Sequence, residues 1–157
     1  ASAVELTLTF FGTICVWNGI MNIAKKTTLM SKLTKMLQPV IKFLFPELRH
    51  NEQAKEEISM NVVANLLGLG NAATPLGLKA METMQKENPK KDTLTNSMAM
   101  FIVLNTASLQ LIPTNVIAIR SSLESNAPSG VILQVWIATI IAATVGITAT
   151  KILMKRF

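Results

Sequence analysis

The chain has 157 residues, half of them hydrophobic and only 15% charged, with a mean hydropathy of +0.40. Soluble domains carry about 25% charged residues, so these figures argue against an ordinary soluble globule, and the apolar content excludes a disordered chain. The net charge is +6, but the lysines and arginines sit in loops rather than in a basic stripe interleaved with aromatics, so nucleic acid is not an expected partner.

One cysteine, Cys15, and one histidine, His50, leave no intrachain disulfide, no zinc site and no Cys–His nucleophile within the chain. No metal or cofactor is expected. The composition instead points to an all-α integral membrane protein, with loop charge beside anionic membrane lipid. Residues 1–157 are read as a single membrane domain. Because the chain begins at Ala1 without a methionine, a preceding segment is expected to be missing. The first residues have no basic flank and carry Glu5, which argues against a signal peptide.

Four stretches lack Asp, Glu, Lys and Arg: 6–24, 58–78, 93–119 and 130–150. A bilayer core needs about 20 apolar residues in a helix. The first, 6–24, is expected to be an ordinary transmembrane helix. After it, Leu29, Leu33, Met36, Leu37, Val40, Ile41, Leu44 and Phe45 follow helical spacing, with Lys32, Lys35 and Lys42 away from the stripe. This predicts an interfacial amphipathic helix, divided in two at Pro39, with packing on the protein's own core as the alternative.

The second stretch is broken by Gly68, Gly70, Pro75 and Gly77. Glycine costs a helix about 1 kcal/mol and proline about 3. One helix is therefore expected to end near Leu67 and another to begin at Thr74 as N-cap, with Pro75 as its first residue. Each arm is too short to cross, which predicts a re-entrant helical hairpin, a shape tolerated where it is buried or lines a wet cavity. The third stretch, interrupted near Pro113, is expected to be a broken transmembrane helix. The fourth is read as an ordinary span.

Charge supports this arrangement. Seven Lys and Arg lie in 25–57, four in 79–92 and three in 151–157, against Arg120 alone in 120–129. If 58–78 re-enters and the other three stretches cross, one face of the membrane holds fourteen basic residues and the other holds one. Straight crossing by all four would divide them almost evenly. The positive-inside rule prefers the first topology.

Polar residues cluster around the two breaks. Asn61 and Asn65 share a helix face, and Gly68, Gly70, Asn71 and Thr74 lie at the hairpin tip. Asn105, Thr106, Ser108, Thr114 and Asn115 lie in the third stretch. Amides, hydroxyls and freed helix ends can orient a small polar solute or an ion, so these residues are the candidate substrate- or ion-binding set. Interhelical hydrogen bonding is the competing role. Asn65, Asn71 and Asn105 are expected to matter more for function than for folding, and Asn96 to tolerate alanine. No catalytic residue is expected, because the uncharged stretches offer no acid or base. Glu47, His50, Glu52, Glu56 and Glu57 are read as a solvated loop and helix start.

The run Asn61-Val-Val-Ala-Asn-Leu-Leu-Gly-Leu-Gly-Asn-Ala-Ala-Thr-Pro-Leu-Gly-Leu-Lys-Ala-Met81 resembles the signature of the spore maturation protein A family. So do Leu104-Asn-Thr-Ala-Ser-Leu-Gln-Leu-Ile-Pro-Thr114 and the turn Leu44-Phe-Pro-Glu47. The resemblance covers nearly the whole chain. It implies a Gate, or nucleoside-recognition, domain in a multi-pass inner or forespore membrane protein of endospore-forming bacteria. It further implies a role in late spore development and core dehydration beside spore maturation protein B, without specifying a substrate.

Two functions are compatible with these readings. In one, the chain is a transporter-like subunit completed by a second Gate-domain subunit, spore maturation protein B-like, or by a second copy as a homodimer. In the other, it is a non-transporting membrane scaffold for spore or envelope assembly.

Overall fold

In the computed structural model the described residues are 28–154 and, before them, positions 3–5, 7, 8, 11, 12, 15, 16, 19 and 23; for 29, 30, 71 and 72 the description covers the backbone alone. Six helices run through residues 28–154: α1 (Thr28–Leu44), α2 (Glu52–Leu66), α3 (Gly70–Glu87), α4 (Asn96–Thr106), α5 (Thr114–Ser122) and α6 (Ile132–Leu153). Short 3₁₀ turns at Pro46–Leu48 and Pro128–Val131 join them, and no strand occurs among the described residues. The expected first span, 6–24, lies outside the described residues except at its scattered positions, which are helical and exposed.

Each helix boundary has a local cause. Asn51 caps α2, its Oδ1 accepting the Ala54 N–H at 2.7 Å, and the Thr95 hydroxyl does the same for Met98 at the start of α4. The end of α2 is a Schellman turn: Gly68 N–H donates to Asn65 C=O, Leu69 N–H donates to Ala64 C=O, and Gly68 takes a φ of +73°. Glycine is favoured there because a Cβ is penalised at positive φ.

Two expected boundaries are corrected. α3 begins at Gly70, with Leu69 as N-cap, rather than at Thr74. Leu69 is buried and its carbonyl accepts the Ala73 N–H at 2.8 Å, so the helix restarts directly from the turn. Pro75 is carried inside α3, and the Thr74 hydroxyl bonds back to Gly70 C=O. At Pro39 α1 does not divide. Pro39 is exposed while Ile41 and Leu44 beyond it are buried, so the missing N–H bond falls on the outer side and packing carries the helix past it.

The core joins α1, α2, α3 and α4 around Ile41, Phe45, Ile58, Ala80, Met100 and Phe101. α2 and α3 form an antiparallel hairpin, with Glu57 facing Lys79 near its base and Asn61 facing Gly77 further up. α6 runs antiparallel to α4: a Cβ added at Gly146 would come within 2.9 Å of Val103, and the Trp136 indole donates to Leu111 C=O at 2.8 Å. Ala143 and Thr150 are buried and Ile147 packs on the core, but most of α6 is exposed. An 18-residue stretch within 128–153 has a mean hydropathy of 2.1 and is 6% buried, and this is the one segment among the described residues long and apolar enough to cross a membrane.

The contacts sort the helix ends. Glu47 accepts hydrogen bonds from Asn96 Nδ2, Ser97 N–H and Ser97 Oγ, and Lys151 reaches the Phe43 carbonyl. The end of α1 and the starts of α2 and α4 therefore lie together with the ends of α3 and α6. Arg120 bonds to Ser125, Ala127 and Pro128 at the opposite end, where α6 begins.

Candidate functional site

Two breaks, 67–69 between α2 and α3 and 107–113 between α4 and α5, lie against each other. Leu111 N–H donates to Leu66 C=O at 2.7 Å, and the Thr114 hydroxyl donates to Gly68 C=O at 3.1 Å. The fit at Gly68 is tight. A Cβ there would fall 2.3 Å from the Ile112 carbonyl oxygen. Four helix ends meet at this crossing: the C-termini of α2 and α4 and the N-termini of α3 and α5. Partial positive and partial negative dipole ends thus converge where the sequence carries no ionised side chain.

The two breaks are built alike. Asn65 and Asn105 occupy the same position in their turns, each with its C=O accepting the N–H three residues on, from Gly68 and Ser108. Gly68 and Ser108 both have positive φ, +73° and +47°, and a leucine follows each. This correspondence over forty residues escapes a sequence reading because serine replaces glycine in the second copy. The phrase Asn-x-x-small-Leu, repeated, was the available signal.

The asparagine side chains link the helices. Asn65 Nδ2 donates to Asn105 Oδ1 at 2.9 Å and lies 3.4 Å from Asn61 Oδ1. Asn61 Nδ2 donates to Ala73 C=O in α3, and Asn105 Nδ2 donates to Phe101 C=O within α4. Asn61 is 2% exposed. It fits because Gly77 lies opposite: a Cβ there would stand 2.9 Å from Asn61 Nδ2.

The structure thus brings together Asn61, Asn65 and Asn105 in one network and Gly68 with Thr114 in the crossing. Thr74 and Thr106 are exposed, with hydroxyls bonded to carbonyls of their own helices, and Gly70 and Asn115 are exposed. Ser108 accepts a bond from Gln110 Nε2. The side chain of Asn71 lies outside the described residues. Asn96, expected to tolerate alanine, donates from Nδ2 to the Glu47 carboxylate at 2.9 Å.

Two features at the charged end were not anticipated. Glu47 is exposed but braces α4 through Ser97, and Glu57 is buried between α2 and α3, so the acidic cluster is only partly a solvated loop. Burial pushes the Glu57 carboxyl up, but the Thr83 hydroxyl, the Gln53 amide and the Lys79 ammonium beside it more than offset this and hold it below the usual value. Its Oε2 nevertheless has no partner of ordinary hydrogen-bond geometry. A pocket of about 430 Å³ also lies at this end, beside Glu47, Met84, Asn88, Leu94 and Ser97, and not at the crossing.

Comparison with known proteins matches residues 7–123 to the Gate family, described as nucleoside recognition. The chain belongs to the Gate family. It is also 38% identical over 140 residues to spore maturation protein A of Bacillus subtilis (strain 168), an alignment covering 89% of this chain and 71% of that protein. No solved structure matches it. The Gate match spans both breaks, and membership together with the largely exposed, apolar α6 fits a helical membrane protein.

Proposed function

We propose that this Gate-family chain is a transporter-like membrane subunit acting in spore maturation, and that it supplies one half of a polar pathway. The carrying observation is the crossing of two interrupted helices, joined by Leu111–Leu66 and Thr114–Gly68 bonds. Discontinuous helices whose ends converge near mid-membrane are how many transporters hold polar solutes and ions, usually between two repeated halves. Among the described residues only one such crossing is present, with Thr106 and Asn115 exposed beside it. The other half would come from a second Gate-type subunit, spore maturation protein B-like, or from a second copy. On this reading the α2–α3 hairpin enters the bilayer and returns, α4–α5 crosses as a broken helix, and the chain is multi-pass.

The similarity to spore maturation protein A supports the sporulation setting. Flux of small polar solutes and ions into vesicles tests the mechanism. Flux is expected with both subunits and not with this chain alone; a monomer that transports unaided would overturn the half-site reading. One observation favours the scaffold alternative: Asn61, Asn65 and Asn105 satisfy one another, as packing groups would. Intact assembly without flux in the paired vesicles would select it.

A further inference from the structure

We infer that the outer face of α1 docks on an anionic lipid leaflet, at the membrane face where α6 ends. α1 carries two apolar stripes. Leu37, Ile41 and Leu44 turn inward, whereas Met36, Val40 and Phe43, spaced i, i+4, i+7, are 66%, 49% and 70% exposed. Lys32, Lys35 and Lys42 border the outer stripe, all exposed, and α1 contains no acidic residue. Among the described residues none of these lysines forms an ion pair.

The depth of the helix is set by its contact with α6. Lys151, the first charged residue after the largely exposed apolar run of α6, places its Nζ 3.4 Å from the centre of the Phe43 ring and reaches the Phe43 carbonyl. The outer stripe of α1 therefore continues the apolar surface of α6 at the level where charge returns. An apolar stripe edged by lysines at that level matches acyl chains below anionic headgroups. A protein partner would not explain why the stripe joins the surface of the one segment apolar enough to cross a bilayer.

The test uses the full chain with Cys15→Ser, carrying either Met36→Cys or Lys35→Cys. Vesicles are made of phosphatidylcholine alone or mixed with phosphatidylglycerol, and labelling by an aqueous maleimide is timed. Met36→Cys should label much more slowly than Lys35→Cys, and phosphatidylglycerol should slow it further. Combining Lys32→Gln, Lys35→Gln and Lys42→Gln with Met36→Cys should remove the phosphatidylglycerol effect, since each lysine near an anionic surface contributes roughly five-fold. High salt on the unsubstituted lysines should do the same by screening, which keeps the test valid if the triple variant misfolds. Equal labelling at both positions, or protection indifferent to phosphatidylglycerol, overturns the inference. Neither outcome bears on transport.

Discussion

At Gly68 two segments far apart in sequence pack too tightly to admit a side chain. Alanine there would meet the Ile112 carbonyl at 2.3 Å and sit at a φ of +73°. Positive φ alone costs of order 1–3 kcal/mol for a non-glycine residue, and the clash must add to it. Gly68→Ala should therefore lower stability by about 3 kcal/mol or more, read as loss of the folded, extractable protein or a large fall in Tm. Gly70, two residues on, has nothing within 4 Å, so Gly70→Ala should change stability by less than about 1 kcal/mol.

The asparagine network permits a finer separation. A double-mutant cycle on Asn65→Ala and Asn105→Ala should give a coupling near the average of about 0.6 kcal/mol for membrane hydrogen bonds. If these amides also serve a solute, complementation of a deletion strain should fall far more steeply than assembly does. Loss of assembly in step with function would leave them as packing groups.

At the scale of helices, the hairpin base is the acid-sensitive joint. The Glu57 carboxyl is held below its ordinary value near 4.5, so the folded state favours its charged form. That contribution is fully present above the unfolded value and is lost as pH falls through the folded one. Unfolding measured from pH 6 downward should show stability falling below about pH 4.5, and Glu57→Gln should flatten that slope while costing stability at neutral pH. An unchanged slope in the variant would remove Glu57 from the account.

How far these elements were legible follows from which forces set them. The end of α2 could be read because glycine at 68 is a local signal, and α6 because its apolar run is uninterrupted. The restart of α3 at Gly70 could not, since burial of Leu69 outweighs the pull of Thr74 and Pro75 toward a later start. The break at Ser108 carries no glycine, and its meeting with Gly68 depends on bonds spanning up to 46 residues, which no local pattern encodes. The asparagines around the breaks were visible as a cluster, but their partners were not. Gly77 looked like another helix breaker and instead makes room for Asn61.

For the whole molecule, the helix ends separate Arg120 from the other described basic residues. Glu47 bound to Ser97 and Lys151 bound to Phe43 gather the described basic segments of 28–57 and 79–92 with Lys151 at one end. Arg120 is bound among 125–128 at the other. On the proposed topology, a bilayer around α6 would divide the chain as the positive-inside rule prefers, with the hairpin tip reaching the crossing and turning back. Cysteine labelling from each side tests this placement in a Cys15→Ser background. Lys90 is exposed and suits one probe. Ser125 is a poor second, because its hydroxyl accepts from Arg120, whereas the neighbouring Asn126 is exposed. Lys90→Cys and Asn126→Cys should label from opposite faces of sealed vesicles, with Lys90→Cys on the side of Arg49. Labelling of both from one face would mean that α4–α5 does not cross, and labelling of Lys90→Cys from the face opposite Arg49 would mean that α2–α3 does. The crossing could then no longer sit at mid-membrane, and the half-pathway would lose its geometry.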